Sequence, residues 1–223
     1  MLIEFSKCNS LIETIFGTRI KKVCHVGAHH GEEASIYFEN GVQSVMWFEA
    51  NESLLPELRA HVVQYPMEQF ILPHPLLDED RLVQLHVTNN SQATSVFALD
   101  RVSEFYPQIV VDEVRPVQGY RLDTLMGRVP PYLPWVDPDF LNFDTQGAEL
   151  AILKGMGTYL AQPSIKGIYL EVNWDTLYKD APLIGEIDAF LLTFGFCRVI
   201  THWTHAVWGD AFYLKTLKVN GDT

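Results

Sequence analysis

The chain has 223 residues, 48% of them apolar and 20% charged, the balance of a folded globular protein rather than a disordered one. Sixteen Lys and Arg against 28 Asp and Glu leave a net charge of −12, which speaks against nucleic acid or an anionic membrane as partner. No run approaches the roughly 18 apolar residues of a membrane span, and Met1-Leu2-Ile3-Glu4-Phe5 does not read as a signal peptide. Cys8, Cys24 and Cys197 are scattered without a CxxC pair, which fits a reduced, cytoplasmic protein. One domain over 1–223 is expected, with a lead-in over 1–21 and a core over 22–223.

Leu11, Ile12, Ile15 and Phe16 lie at helical spacing, and Gly17 stops the helix. Lys22–Val26 reads as a strand running into Gly27, and Glu32–Asn40 as a helix closed by Gly41. The apolar run Ser44–Glu49 fits a strand buried on both faces, and Leu54, Leu55, Leu58 and Val62 mark another helix. This is a parallel βαβ beginning. Phe70–Leu72 and Leu82–Val87 look like strands, whereas 88–120 mix turn formers with short apolar pieces. Residues 130–134, three of them proline, read as a loop. A strand over Phe140–Asp144, a helix over Glu149–Lys154 and a strand over Ile165–Val172 follow. A helix over Leu183–Phe194 ends at Gly195, and Arg198–Thr201 with Ala211–Lys215 suggest a closing strand pair.

Two turns carry chemistry. Val26-Gly27-Ala28-His29-His30-Gly31 joins a strand to a helix, where small residues permit a tight turn and close approach of a ligand. Glu49 ends the next strand, 22 residues after Gly27, where a carboxylate accepts hydrogen bonds from both ribose hydroxyls of a nucleoside. The spacing alone does not choose between a dinucleotide and S-adenosylmethionine. Asp144 stands at the carboxyl end of its strand, the ligand-binding edge of an open parallel sheet, although an Asp there also serves as a helix cap. Glu171 ends the next strand at the same rim. Blander roles suit His29-His30, His202-Trp203-Thr204-His205 and Glu32-Glu33: an HxxH pair without a matching third ligand, and an acidic first helical turn. Trp203, Trp208, Phe212 and Tyr213 suit a sugar face or the core equally.

His25-Val26-Gly27-Ala28, Phe48-Glu49-Ala50-Asn51, Tyr120–Leu125, Phe143–Leu150 and Leu153-Lys154-Gly155 occur in an order that resembles the FkbM-type S-adenosylmethionine-dependent methyltransferases. The ending, from Leu177-Tyr178 to Gly209-Asp210-Ala211, is similar to that family's tail. The resemblance implies a Rossmann-like α/β fold: a seven-strand, mostly parallel sheet with an antiparallel final strand and helices on both faces. It implies S-adenosylmethionine as cofactor, S-adenosylhomocysteine as product, and O-methylation of a small molecule or glycan, often a sugar. Cofactor contacts would come from Gly27, Ala28, Gly31, Glu49, Ala50, Leu77, Ser95 and Asp144. Asp144 and Glu171 would be catalytic, and Gln146, Asn173, Trp174 and His202 would meet the acceptor, with Tyr106, Tyr132 and Trp135 as further contacts. The family pattern has Asp at the place of His25, and Lys and Glu at those of Asn142 and Gln146. Losing both charges around Asp144 makes a divalent metal possible but not favoured, and leaves Asp144 as the main ionisable group of its motif.

Two other functions fit the nucleoside half-site. A nicotinamide-dependent oxidoreductase is weakened by the single-glycine start Gly27-Ala28 and by the absence of a Tyr-xxx-Lys pair. A non-catalytic nucleoside-binding relative would keep the crevice without the reaction. The acceptor itself is not encoded readably, because loops set specificity in such folds.

Overall fold

The computed structural model describes residues 1–128 and 137–217; the loop expected at 130–134, with Tyr132 and Trp135, lies outside them. The chain opens with α1 (Phe5–Phe16), ended by Gly17 in a left-handed conformation whose N–H bonds the Glu13 carbonyl at 2.9 Å. It continues through β1 (Lys22–Val26), α2 (Ala34–Glu39), β2 (Ser44–Phe48), α3 (Leu55–Val62) and β3 (Glu68–Leu72). After the segment 73–128 come β6 (Phe140–Phe143), α6 (Glu149–Gly155), β7 (Gly167–Asn173), α7 (Ile184–Thr193), β8 (Phe196–Trp203) and β9 (Trp208–Lys215).

Seven of these strands form one sheet in the order β3-β2-β1-β6-β7-β9-β8. β9 runs antiparallel to both neighbours, and the other pairings are parallel. This is the Rossmann-like sheet with an antiparallel last strand that the resemblance implied. Side chains alternate across it. Cys24, Val26, Met46, Phe48, Leu141 and Phe143 pack on the side of α6 and α7. Val23, Val45, Trp47, Phe140, Tyr169 and Phe212 face α1, α2 and α3. The strand order reverses between β1 and β6, so the crevice of the sheet opens at their carboxyl ends.

The middle of the chain holds the strand expected over Leu82–Val87 and a further one beside it. β4 (Arg81–Thr88) and β5 (Val111–Gly119) pair antiparallel in a ribbon of their own, apart from the main sheet. Most of β5 is exposed, so its side chains show no inside–outside alternation, and Pro116 is tolerated because the ribbon has free edges. The short α4 (Val102–Phe105) precedes β5, and α5 (Leu122–Arg128) follows it. The acidic pair Glu32-Glu33 precedes α2 rather than filling its first turn.

Leu77, expected near the cofactor, packs elsewhere. A Cβ added at Gly155, the last residue of α6, would stand 1.8 Å from the Leu77 carbonyl oxygen, and one at Gly119 would stand 2.3 Å from Leu77 Cδ1. Leu77 therefore wedges between two glycines. Alanine normally improves a helix over glycine by about 0.5–1 kcal/mol. Here Gly155→Ala should instead lower stability by about 2 kcal/mol or more, read from urea midpoints. A gain in midpoint would show that the contact yields.

Candidate functional site

A cavity of about 650 Å3 opens over the carboxyl ends of β1, β2, β6 and β7. Gly27, at φ 84°, is where its two halves meet. An added Cβ would lie 1.8 Å from the Asp144 carbonyl oxygen, so the turn after β1 and the turn after β6 run against each other. The N–H groups of Gly27 and Ala28 both donate to the Phe48 carbonyl, at 2.9 and 3.0 Å, which fastens the first turn to β2. Gly31 lies at φ 77° for a different reason. A Cβ there would press on Val62 and Leu58 of α3 at 2.7 and 2.9 Å.

Glu49 lines the cavity. One carboxylate oxygen accepts the His29 N–H and the other the Asn51 N–H, each at 2.7 Å. A carboxylate has about four lone-pair sites, so each oxygen keeps capacity for a ligand hydroxyl. Burial raises the Glu49 carboxyl against the pull of those N–H groups. Beside it, His29 holds Glu32 at 2.6 Å and Ser91 at 2.8 Å. Against its partial burial, Glu32 holds the His29 imidazole above its ordinary value, and His29 draws Glu32 down to about 2. His29, His30 and Glu32 are the one group among the described residues whose ligand atoms cluster as for a metal, within 4.8 Å. Both ring nitrogens of His29 are already engaged.

The acidic half begins at Asp144. Its carboxyl is open to the cavity yet enclosed by protein, and this burial raises it, helped by the negative charge of Asp210. Glu171, only 5% exposed, is raised well above the usual range by burial and by the charges of Asp144 and Glu149. Gln146 Nε2 donates to both carboxylates, at 2.8 Å each, while its Oε1 accepts the Tyr178 hydroxyl at 2.8 Å. Ser95 Oγ donates to the Gln146 carbonyl at 2.7 Å. The turn is tied by Glu149 rather than by Asp144. Glu149 accepts from the Thr145 N–H at 2.8 Å, the Thr145 hydroxyl at 2.9 Å and the Gly147 N–H at 3.1 Å, and burial raises its carboxyl to about 7.

Below these carboxylates lies a neutral cluster. His25 and Asn142 are paired across β1 and β6, and both line the cavity. Asn142 Nδ2 donates to the Tyr37 hydroxyl at 2.7 Å, so the hydroxyl hydrogen goes to His25 Nδ1 at 3.0 Å. That balance places the ring proton of His25 on Nε2. Burial lowers the His25 imidazole to about 4. Asn142 Oδ1 is buried with no partner.

Over the cavity, two distant segments are sewn together. The Asp100 N–H bonds the Leu177 carbonyl at 2.9 Å and the Lys179 N–H the Ala98 carbonyl at 2.8 Å. Ala93, Val102, Ile109, Leu177, Tyr178 and Val207 pack into a small apolar cluster there.

Residues 25–197 match the family described as the methyltransferase FkbM domain. The chain belongs to that family. No curated protein matches the chain. Among solved structures, it is similar to magnesium protoporphyrin IX methyltransferase (ChlM) from Synechocystis PCC 6803 with bound SAM. The identity is 12% and the TM-score 0.49, over 95% of this chain and 77% of that one. TrmK of M. capricolum, in complex with S-adenosyl-homocysteine, gives 8% and 0.49 over 96% and 69%. The 1,6-didemethyltoxoflavin-N1-methyltransferase of Burkholderia thailandensis gives 14% and 0.46 over 94% and 77%.

For this FkbM-family chain, Gly27, Glu49, Ala50, Ser95, Asp144, Gln146 and Glu171 all reach the cavity, as does Tyr106. Ala28, Gly31, Leu77, Asn173, Trp174 and His202 lie outside its lining. Ala28 and Gly31 pack beneath the first turn, and Asn173 is buried at the end of β7. Trp174 is 54% exposed, and the exposed His202 bonds the Leu2 carbonyl at 3.1 Å. Phe212 and Tyr213 belong to the core, whereas Trp208 lines the cavity and donates to the Tyr106 hydroxyl at 2.9 Å. Asp210, Glu33, Tyr169 and Tyr178 line the site without having been singled out for it. A carboxylate inside the apolar run of β9 was the available signal for Asp210.

His25 supplies a check on the neutral cluster. An exposed imidazole protonates near pH 6.5, but this one only near 4. The unfolded chain then binds more protons between those values, so this residue's contribution is complete above pH 6.5 and is lost as pH falls towards 4. In nitrogen NMR of the imidazoles, His25 should stay neutral with its proton on Nε2 down to about pH 5, while His29 titrates above its ordinary value. An inflection of His25 near 6.5 would contradict the cluster.

Proposed function

We infer that the chain transfers a methyl group from S-adenosylmethionine to a hydroxyl of a small-molecule or glycan acceptor, with a sugar as the leading class. One observation carries this reading. Glu49, the turn at Gly27 and the carboxyl pair Asp144–Glu171 open onto one cavity, whose volume suits a small-molecule site of about 300–1,000 Å3. When bound, S-adenosylmethionine supplies a methyl group already activated on a sulfonium.

The chain's residues have three tasks. Glu49 accepts the ribose hydroxyls, and Ala50, Leu76, Val96, Ala148 and Ile152 offer apolar walls beside it. The apolar cluster over the cavity excludes water from the acceptor side. Asp144 takes the proton of the attacking hydroxyl, and a carboxyl raised by burial is a stronger base for that step. Gln146 fixes the direction of the Asp144 and Glu171 carboxylates, with Tyr178 fixing Gln146 in turn. Direct base catalysis is favoured over a metal, because amide hydrogens already point at both carboxylates and would face any cation placed there.

A cytoplasmic setting is supported by three free thiols. No helix among the described residues is long and apolar enough to cross a membrane.

Glu49→Ala should weaken S-adenosylhomocysteine binding ten-fold or more by calorimetry, since each charge-assisted hydrogen bond contributes about 1.5–3 kcal/mol. Unchanged affinity would remove the ribose assignment. Asp144→Asn should bind S-adenosylhomocysteine nearly as well as the wild type and lose about 10²–10⁴ in turnover. Normal turnover in that variant would dismiss Asp144 as the base, and activity abolished by chelator and restored by magnesium would transfer the role to a metal.

A further inference from the structure

The charge inventory of the cavity is one-sided. Six carboxyl side chains line it, those of Glu32, Glu33, Glu49, Asp144, Glu171 and Asp210. Among the described lining residues there is no Lys and no Arg. Glu32 is compensated by His29, and Glu49 by two backbone N–H groups. Glu33 faces the N-terminal ammonium of Met1, which also lines the cavity, at 3.9 Å. The other three, Asp144, Glu171 and Asp210, gather on the acceptor side. Glu171 and Asp210 are paired across β7 and β9, and Asp144 follows Asn142 at the spacing by which Glu171 follows Tyr169. A methyl donor brings a single net positive charge, which leaves this side with a surplus of negative charge.

Two features show that the surplus is directed at a ligand rather than merely exposed to solvent. Asn142, only 2% exposed and part of the cavity wall, has an Oδ1 acceptor with no partner. Glu171, nearly as buried, receives one hydrogen bond from the neutral Gln146, on Oε2, and none from the described residues on Oε1. A buried acceptor left unmatched costs about 1–3 kcal/mol, and an unmatched carboxylate more. His25, held neutral beside Asn142, supplies no positive charge.

We propose that the acceptor carries a protonated amine, seated between Asp144, Glu171 and Asp210 with Asn142 Oδ1 as a further hydrogen-bond acceptor, and that amino sugars are its substrate class. The inference rests on the methyl-transfer reading given above and narrows its acceptor. An ammonium offers three hydrogens to an acceptor-only surround. A divalent metal suits the place less, because the Gln146 amide hydrogens already point at two of the carboxylates. Phosphate-bearing sugars, including nucleotide sugars, would meet three uncompensated carboxyl groups, the Met1 ammonium already facing Glu33, and are disfavoured by repulsion.

The test uses the full chain saturated with S-adenosylhomocysteine, titrated by calorimetry with three pairs. These are glucosamine against glucose, galactosamine against galactose, and kanamycin against fully N-acetylated kanamycin, with glucose 6-phosphate as the anionic probe. The same compounds are then offered with methyl-labelled donor. At least one amine should bind ten-fold or more tighter than its neutral counterpart and be methylated in preference to it. Glu171→Gln should shrink that preference ten-fold or more. No preference in any pair, or tighter binding of the phosphate, overturns the proposal. A preference that appears only with added magnesium overturns it in favour of a metal site. Failure of S-adenosylhomocysteine itself to bind would instead reject the methyl-transfer reading, so the two failures are told apart.

Discussion

The contact between Gly27 and the Asp144 carbonyl is the constraint on which the site depends. β1 and β6 lie side by side where the strand order reverses, and the Asp144 N–H bonds the Val26 carbonyl at 3.0 Å. Two turns leaving adjacent strands normally diverge around their side chains. With no side chain at Gly27, they run in contact instead. The half around Glu49 and the half around Asp144 become one cavity, and the glycine serves the protein's own backbone before it serves any ligand.

From that junction outward, each functional carboxylate is placed by backbone N–H groups or by a neutral side chain rather than by a positive charge. Glu49 is aimed by two N–H groups, Glu149 ties its own turn, and Gln146 spans Asp144 and Glu171. Asp210 accepts from the Tyr169 hydroxyl and the Leu2 N–H. Positioning by dipoles leaves the carboxyl groups oriented but not neutralised. Burial and neighbouring negative charges hold the Asp144 and Glu171 carboxyls above the usual range, so a positive charge arriving beside them favours their ionised forms.

The parts of this arrangement readable from sequence are those that depend on local chain. A strand, a glycine turn and a carboxylate at a strand end are written in consecutive residues, which is why Gly27, Glu49, Asp144 and Glu171 all come to one edge. Partners supplied across the fold left no such mark. Tyr37 meets His25 and Asn142 from α2, and Tyr178 meets Gln146 from 32 residues away. The β5 strand escaped because exposed on both sides it carries no alternation, and its Pro116 suggests a turn. Leu77 and His202 show the converse limit. Their expected place at the site does not reveal that one packs against glycines and the other faces outward to the chain's second residue.

The His25–Tyr37–Asn142 cluster makes its three side chains interdependent. The resemblance to the family implies Asp and Lys at the two strand positions, which are directly opposed in the register of β1 and β6. Either charge alone would be buried without its opposite, which is far less stable than both together or neither. Placing one of those charges in this chain would therefore leave it buried beside neutral partners, so the two positions constrain each other's substitution.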